Sequence, residues 1–489
     1  MTREEIEKAS SRESDWRVEL RNELTARERG SIPRAEMPML PGDYRITCNR
    51  EVNMGLSRGQ AMLEATRCLD CPDPQCVTGC PVGIDIPGFV KNIQRGAVDM
   101  ALAILKQSSP LPAVCGRVCP QERQCESRCI YHKMKKQPVA IGYLERYAAD
   151  NGVSIEAADE SRRGIKVAAV GSGPASLAFA GDMASRGFDV TIFEALHEIG
   201  GVLKYGIPEF RLPNSIVDTE IEALGRRGVK MVKDCVVGKT VGIEELLAQD
   251  YAGIFVASGA GLPRFMGIPG ENYVGVMSAN EYLTRINLMG AGRGGDTPVL
   301  KGRRVAVIGG GNTAMDSVRT ALRMGAERAM IVYRRSEAEM PARAEEIEHA
   351  RQEGVEFLTL HNPIEYTADE RGRVNGMKLQ KMKLGDPDES GRQSPVPIEG
   401  AIEEMEVDLV LVSVGVSPNP LIPKVVDGLE VSRRGTIVVD ETTMQSSLTG
   451  IYAGGDIVRG GATVILAMGD GRRAAAAMAE AIERRVSQS

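Results

Sequence analysis

The stretch IKVAAVGSGPASLAFA (165–180) is an apolar run, then a glycine turn, then an alanine-rich run. β-Branched residues ahead of such a turn read as a buried strand, and the run behind it as a helix. Within Gly171-Ser-Gly173-Pro174-Ala-Ser176 the first glycine permits a tight turn and the second lets backbone approach a pyrophosphate. The helix that follows aims its first amides at that anion. Ser176 stands where the pattern asks for Gly or Ala, which implies slightly looser helix–strand packing. The next strand, DVTIFEA, ends in Glu194, placed to accept from ribose hydroxyls.

RRVAVIGGGNTAMDSV (303–318) repeats the pattern, with Gly309 and Gly311 in the turn. Its second strand, AMIVYRRSE, ends in Arg334 and Arg335, where the first unit has an acid. Two guanidiniums can pair with a 2′-phosphate that a carboxylate repels, which favours NADP there. Arg343, in MPARAEE, is a third candidate cation. A last strand and turn, TGIYAGGDIVRGG, offers Gly455 and Asp456 to the ribityl or phosphate region of FAD. From Ile165 onward short strands alternate with helices, so the fold class is α/β with two Rossmann-like, two-dinucleotide-binding domains. The expected limits are 160–300 for a first FAD-binding segment, 301–407 for the NADP-binding domain and 408–489 for a second FAD-binding segment. Hydride transfer from NADPH to a flavin needs stacking and positioning more than an acid–base pair. The four histidines are scattered and no catalytic residue is assigned. The polar loop GDPDESGRQSP (385–395) reads as a surface hairpin connection without chemistry.

Residues 1–155 are different. They have few β-branched runs, and SRGQAMLEATRCL and VDMALAILKQ carry helical periodicity between Pro-rich loops. This N-terminal, mainly helical domain holds Cys68, Cys71, Cys76 and Cys80, then Cys115, Cys119, Cys125 and Cys129. The spacings are C-x2-C-x4-C-x3-C-P and C-x3-C-P-x4-C-x3-C. A C-x3-C-P ending is also found in bacterial ferredoxin runs, whose last Cys ligates a different cluster from its neighbours. Two zinc ions with four thiolates each satisfy the same count. That alternative makes the chain a non-enzymatic, zinc-binding assembly or sensor subunit. A flavin neighbour that takes two electrons favours iron–sulfur, the one-electron outlet. Cys235 is isolated and reads as a small packed hydrophobe.

Composition narrows the partners. A net charge of −6 gives no reason to expect nucleic acid or an anionic membrane, and 4% aromatic residues leave no stacking platform for bases. No apolar run nears the roughly eighteen residues of a membrane span. The charged N-terminal stretch MTREEIEKASSRESDWRVELRNE has no apolar core of a secretory signal, so a cytoplasmic location with reduced thiols is expected.

The series CLDCPDPQCVTGCPVGIDIP, LPAVCGRVCPQERQCESRC, GSGPAS, KYGIPEFRLP, GGGNTAMD, VYRR, MPARAEE and YAGGDIVRG resembles the glutamate synthase small (β) subunit family, in the family's order. That family includes the large subunit of NADH-dependent reduced ferredoxin:NADP oxidoreductase, an electron-bifurcating transhydrogenase, and the N-terminal half of dihydropyrimidine dehydrogenase. PVGIDIP looks closest to the bifurcating branch. The resemblance implies two [4Fe-4S] clusters, a split FAD domain and an inserted NADPH domain. It gives Cys68, Cys71, Cys76 and Cys129 to one cluster, and Cys80, Cys119 and Cys125 to the other. The fourth ligand there is Cys115 or Glu145. It also implies flavin contacts from Gly201 and Arg211, and NADP contacts from Asn312 and Thr313. The implied partner is a second oxidoreductase subunit: an amidotransferase/FMN large subunit, or a small flavin/[2Fe-2S] subunit with ferredoxin as a further candidate. The Arg-rich first forty residues depart from the family and read as a partner-docking segment.

Overall fold

The computed structural model describes residues 2–153, 161–292, 296–389 and 391–488, and in it the two glycine turns open two separate parallel sheets. In the first, the strands run Ile451–Ala453, Tyr251–Val256, Lys166–Val170, Asp189–Phe193 and Lys230–Val232 across the sheet. The second runs Val276–Ser278, Leu409–Val412, Arg304–Ile308, Arg328–Tyr333 and Glu356–Thr359. Lys166–Val170 and Arg304–Ile308 are each buried at four consecutive positions, as strands covered on both faces must be.

The chain leaves the first sheet after Val256, builds the second, and returns for Ile451–Ala453. Leu262–Pro263 on the way out pairs antiparallel with Val416–Ser417 on the way back, a two-stranded neck. The second sheet takes in Val276–Ser278 and Leu409–Val412, both outside the expected span 301–407. Three or four residues are too few to show a period, so these strands are silent in the sequence. The expected limit between 155 and 160 lies outside the described residues. Residues 385–395 do connect a hairpin, between Val374–Pro387 and Gln393–Glu406. That connection has a charge role, though: Asp388 within it pairs with Arg335 at 2.6 Å.

The cysteine region is helical as expected, with Arg58–Thr66, Ile86–Gln94, Val98–Ser108, Pro112–Val118 and Ile141–Asn151 as its main helices. The first forty residues pack back onto it. Arg17 and Arg21 donate to the Asp70 carboxylate, which is fully buried between Cys68 and Cys71, and Arg12 donates to the Asp70 carbonyl. Three arginines of the expected docking segment are thus engaged within the chain.

A belt of buried charge joins the units. Arg211, from the first, donates to Asp316 of helix Asn312–Arg323 at 2.8 Å. Arg319 binds Glu346 and Glu353, and both Arg319 and Arg323 lie over the Phe210 ring. Burial works to raise Glu346, but Arg319 and Arg211 outweigh it and hold the carboxyl at about 2. Glu353 is held at about 2 against burial by Arg319 and Arg323. Burial pushes Asp316 the other way, up to about 6. Depressed carboxyls stabilise above their ordinary value near 4.5 and lose that contribution as pH falls toward 2. Asp316 contributes oppositely, losing its share as pH rises through about 6. Scanning calorimetry should therefore give a melting temperature that falls from pH 5 to pH 3. Glu353→Gln should flatten that fall, and an equal slope in the variant would contradict the assignment.

Candidate nucleotide and iron–sulfur sites

At the first turn Gly171 has φ 90°, and a Cβ on it would stand 2.5 Å from the Ala257 carbonyl. Gly173 caps helix Pro174–Ser185, with Pro174 at its first position, where a missing N–H costs nothing. Gly201 comes so close that an added Cβ would meet the Gly173 Cα at 2.9 Å. Glu194, at the strand end, accepts from Ser172 N at 2.9 Å, from Ser172 Oγ and from Leu196 N at 2.8 Å. Ser176 is fully buried in the helix's first turn, and its hydroxyl has no partner. A cradle closed to side chains, with an orphaned donor beside it, fits a pyrophosphate at the helix start.

Gly455 lies across this cleft, against Ala175, and its N–H donates to Asp470. Asp470 is fully buried and also takes a two-pronged contact from Arg459. Asp456 accepts from Ala462 N, and burial raises its carboxyl. Tyr205 is half-buried near Asp456 and Glu194, and its phenol is pushed up to about 12 by desolvation and then by those carboxylates. Sequence reasoning passed over Asp470 and Arg459, the groups that fix the turn. The signal for Asp470 was the charged run DGRR inside the alanine-rich helix Val464–Gln488, and Arg459 stands at the end of GGDIVR.

The second turn follows the same rules. Gly309 has φ 141°, and a Cβ on it would run into the Ser413 carbonyl. Gly311 caps helix Asn312–Arg323. Asn312 accepts from Arg343 N at 2.9 Å, and Thr313 is exposed. The three arginines part company. Arg334 is exposed. Arg335 is buried and donates to Asp388 and to the Gln393 carbonyl. Arg343 is buried and turned to the cysteine region, donating to the Arg117 carbonyl at 2.7 Å, to Gln121 and to Glu345. Arg211 is engaged by Asp316, at the contact between the units.

The cysteines fall into two neighbourhoods. Burial first, then Cys68 and Cys129, push the Cys71 thiol up to about 11; the same causes raise Cys76. Cys80 is raised by burial and then by Glu145 and Cys115. Cys119 is raised by its hydrogen bond with Cys115, by burial and by Cys115, Glu145 and Cys125 in turn. Cys125 is raised by burial, with Glu126, Glu145 and Cys80 behind it. Glu145 is buried with Oε1 unpartnered, and burial pushes its carboxyl up to about 8. Buried thiols that oppose one another's ionisation suit a metal cofactor, whose charge reverses that balance. Among the described residues no three Cys, His, Asp or Glu side chains stand close enough to share a single ion. A cube asks for a different arrangement, with each thiolate on its own corner iron.

The second neighbourhood touches the flavin side. Cys115 Sγ lies 3.5 Å from Met468 Sδ, on helix Val464–Gln488. The next residue, Gly469, faces the Pro81 carbonyl that follows Cys80. Among the described residues no helix is long and apolar enough to cross a membrane.

Residues 45–157 match the family model described as dihydropyrimidine dehydrogenase domain II, 4Fe-4S cluster, and residues 165–481 that of pyridine nucleotide-disulphide oxidoreductase. FprA of Mycobacterium tuberculosis has the same fold over 67% of this chain and 86% of its own, at TM-score 0.56 and 21% identity. The fold and sites define a pyridine-nucleotide flavin oxidoreductase with an iron–sulfur domain. Glutamate synthase [NADPH] small chains are 36% identical in Azospirillum brasilense (87% of this chain, 90% of theirs) and 35% in Escherichia coli (91% and 96%). The chain belongs to this glutamate synthase small-subunit family, and with it is an NADPH-dependent oxidoreductase using FAD and [4Fe-4S] iron. It is also 40% identical to the β subunit of NADP(+)-dependent formate dehydrogenase from Moorella thermoacetica, spanning 59% of that protein's length.

Proposed function

We propose that the chain is the NADPH-oxidising subunit of a larger complex, passing electrons through two [4Fe-4S] clusters to a partner oxidoreductase subunit. The observation that carries this reading is the contact of Cys115 with Met468 and of Pro81, next to Cys80, with Gly469, which supports one cysteine group lying against the flavin cleft. A bound FAD would supply two-electron acceptance from NADPH and one-electron release toward iron–sulfur. Gly171, Gly173, Pro174, Gly201 and Gly455 shape the flavin cradle, with Glu194 and Asp456 as its carboxylates. Gly309, Gly311, Asn312, Thr313 and Arg334 serve NADPH. Arg335 supports Arg334 by pinning the hairpin through Asp388. Arg211 and Arg343 act as fasteners between units, since Arg211 donates to Asp316 and Arg343 to the Arg117 carbonyl and to Gln121.

Cys68, Cys71, Cys76 and Cys129 hold the outer cluster; Cys80, Cys119 and Cys125 hold the inner one, with Glu145 as fourth ligand. The unpartnered, fully desolvated Glu145 oxygen supports that choice, since burying a carboxylate without a counter-charge is costly. Cys115 instead has Met468 and Ser109 as neighbours. The partner sets the physiological reaction, whether glutamate synthesis, ferredoxin-linked transhydrogenation with bifurcation, or another reduction. Its identity is tested by what co-purifies with the chain.

The experiment is metal analysis and EPR of anaerobically purified protein. Two [4Fe-4S] clusters amount to about eight iron per chain without zinc; about two zinc and no iron would overturn the reading. Glu145→Ala should alter one cluster's spectrum and leave the other, while Cys115→Ala leaves both. The opposite pattern makes Cys115 the ligand.

A further inference from the structure

Lys91 lies in helix Ile86–Gln94, all of whose residues are buried, and is itself 0% exposed. Its Nζ donates to the Cys68 carbonyl at 2.6 Å and to Gln94 Oε1 at 2.8 Å. Both acceptors are neutral, and among the described residues no carboxylate forms an ion pair with it. Asp70, the carboxylate in this neighbourhood, is already shared by Arg17 and Arg21. Arg29, equally buried, also spends its donors on carbonyls, those of Leu20, Leu24 and Thr66. A fully buried ammonium without a counter-ion is among the most costly arrangements a protein can hold. The nearby group able to supply negative charge is the thiolate set headed by Cys68.

The inner set is built the other way. Glu145 stands unpartnered beside Cys80, Cys119 and Cys125, and Glu126 flanks Cys125. One cysteine group has a bare cation at its side, the other a bare carboxylate.

We propose that Lys91 is the counter-ion of the cluster held by Cys68, Cys71, Cys76 and Cys129, and that its charge sets that cluster's reduction potential above that of the inner one. An arriving electron adds one negative charge, which a neighbouring cation stabilises and a neighbouring carboxylate opposes; cluster potentials follow local charge in this sense. The transfer from the flavin side outward is thereby made downhill, by a cation at the outer set that is not a ligand and by the carboxylate ligand Glu145 at the inner one. Lys91 is thus a positioning residue of the electron path. This inference rests on the two-cluster reading above.

The test is an EPR-monitored potentiometric titration, at one pH, of the anaerobically purified full chain and of Lys91→Met, Lys91→Gln and Lys91→Arg. The wild type is read first: without two iron–sulfur signals the cluster reading itself fails, before any variant is measured. With two signals present, Lys91→Met and Lys91→Gln should move one of them to a more negative potential, leaving the other and the flavin in place. Lys91→Arg should keep the wild-type value. An unmoved signal at full iron content overturns the proposal, as does an equal shift of both signals. If Lys91→Met and Lys91→Gln lose the iron of that set while Lys91→Arg retains it at the wild-type potential, charge is still what the site requires. Loss in all three variants overturns the proposal, because shape and not charge is then the requirement.

Discussion

Cys129→Ala is expected to remove about half of the bound iron and one of the two EPR signals, while hydride transfer from NADPH to the flavin continues. In the proposed arrangement Cys129 closes the set begun by Cys68, Cys71 and Cys76, and its thiol is raised by burial and further by Cys68. It stands between two short 3-10 turns, Glu126–Arg128 and Ile130–His132, far along the chain from the other three. In the proposed arrangement the flavin cleft lies on the side of Cys115 and Met468, which touch at 3.5 Å, so this lesion should leave that cleft intact. Stopped-flow bleaching of the flavin by NADPH should stay near the wild-type rate, while electron delivery to a partner subunit is lost. A variant that loses the flavin together with the iron would show the two regions to be one folding unit and would count against a separate outer cluster.

The sites were legible in the sequence wherever a backbone rule forces a residue type. Gly171 and Gly309 carry positive φ with a carbonyl at the place of a Cβ, and no other residue satisfies both demands. The two cysteine neighbourhoods were harder to read, since the run Cys68 to Cys80 invites a single knuckle. Directly behind Cys80, Pro81 and Val82 stand against Gly469. That contact lies hundreds of residues away in the chain, and no local spacing announces it.

What the sequence does not carry is how charged side chains are spent. Arg334, Arg335 and Arg343 look alike as letters near a strand end. Their fates depend on Asp388 in a hairpin loop and on Arg117 and Gln121 in another unit. Asp70 and Lys91 show the same limit. One lies between two cysteines and the other in an amphipathic helix, and nothing local says that both are buried beside the same cysteine set. Periodicity tells which face is apolar; it is mute about a fold that buries the opposite face too, Lys91 included.

Arg334→Glu should weaken NADPH by about ten- to hundredfold while sparing NADH. A charge-assisted bond to a phosphate contributes roughly 1.5–3 kcal/mol, and each 1.4 kcal/mol is about tenfold in affinity. Arg334 is the arginine of the three that remains exposed at the strand end. Arg335 is held by Asp388, so its replacement acts through the hairpin: Arg335→Ala and Asp388→Ala should have matching, smaller effects on NADPH. Arg343→Ala should instead loosen the contact with Arg117 and Gln121, seen as a lower melting temperature with the NADPH-to-NADH ratio unchanged. Steady-state KM values for both nucleotides decide among these, because a 2′-phosphate contact affects one coenzyme and a structural fastener affects both. If Arg334→Glu weakened NADH as much as NADPH, the phosphate role would pass to another residue.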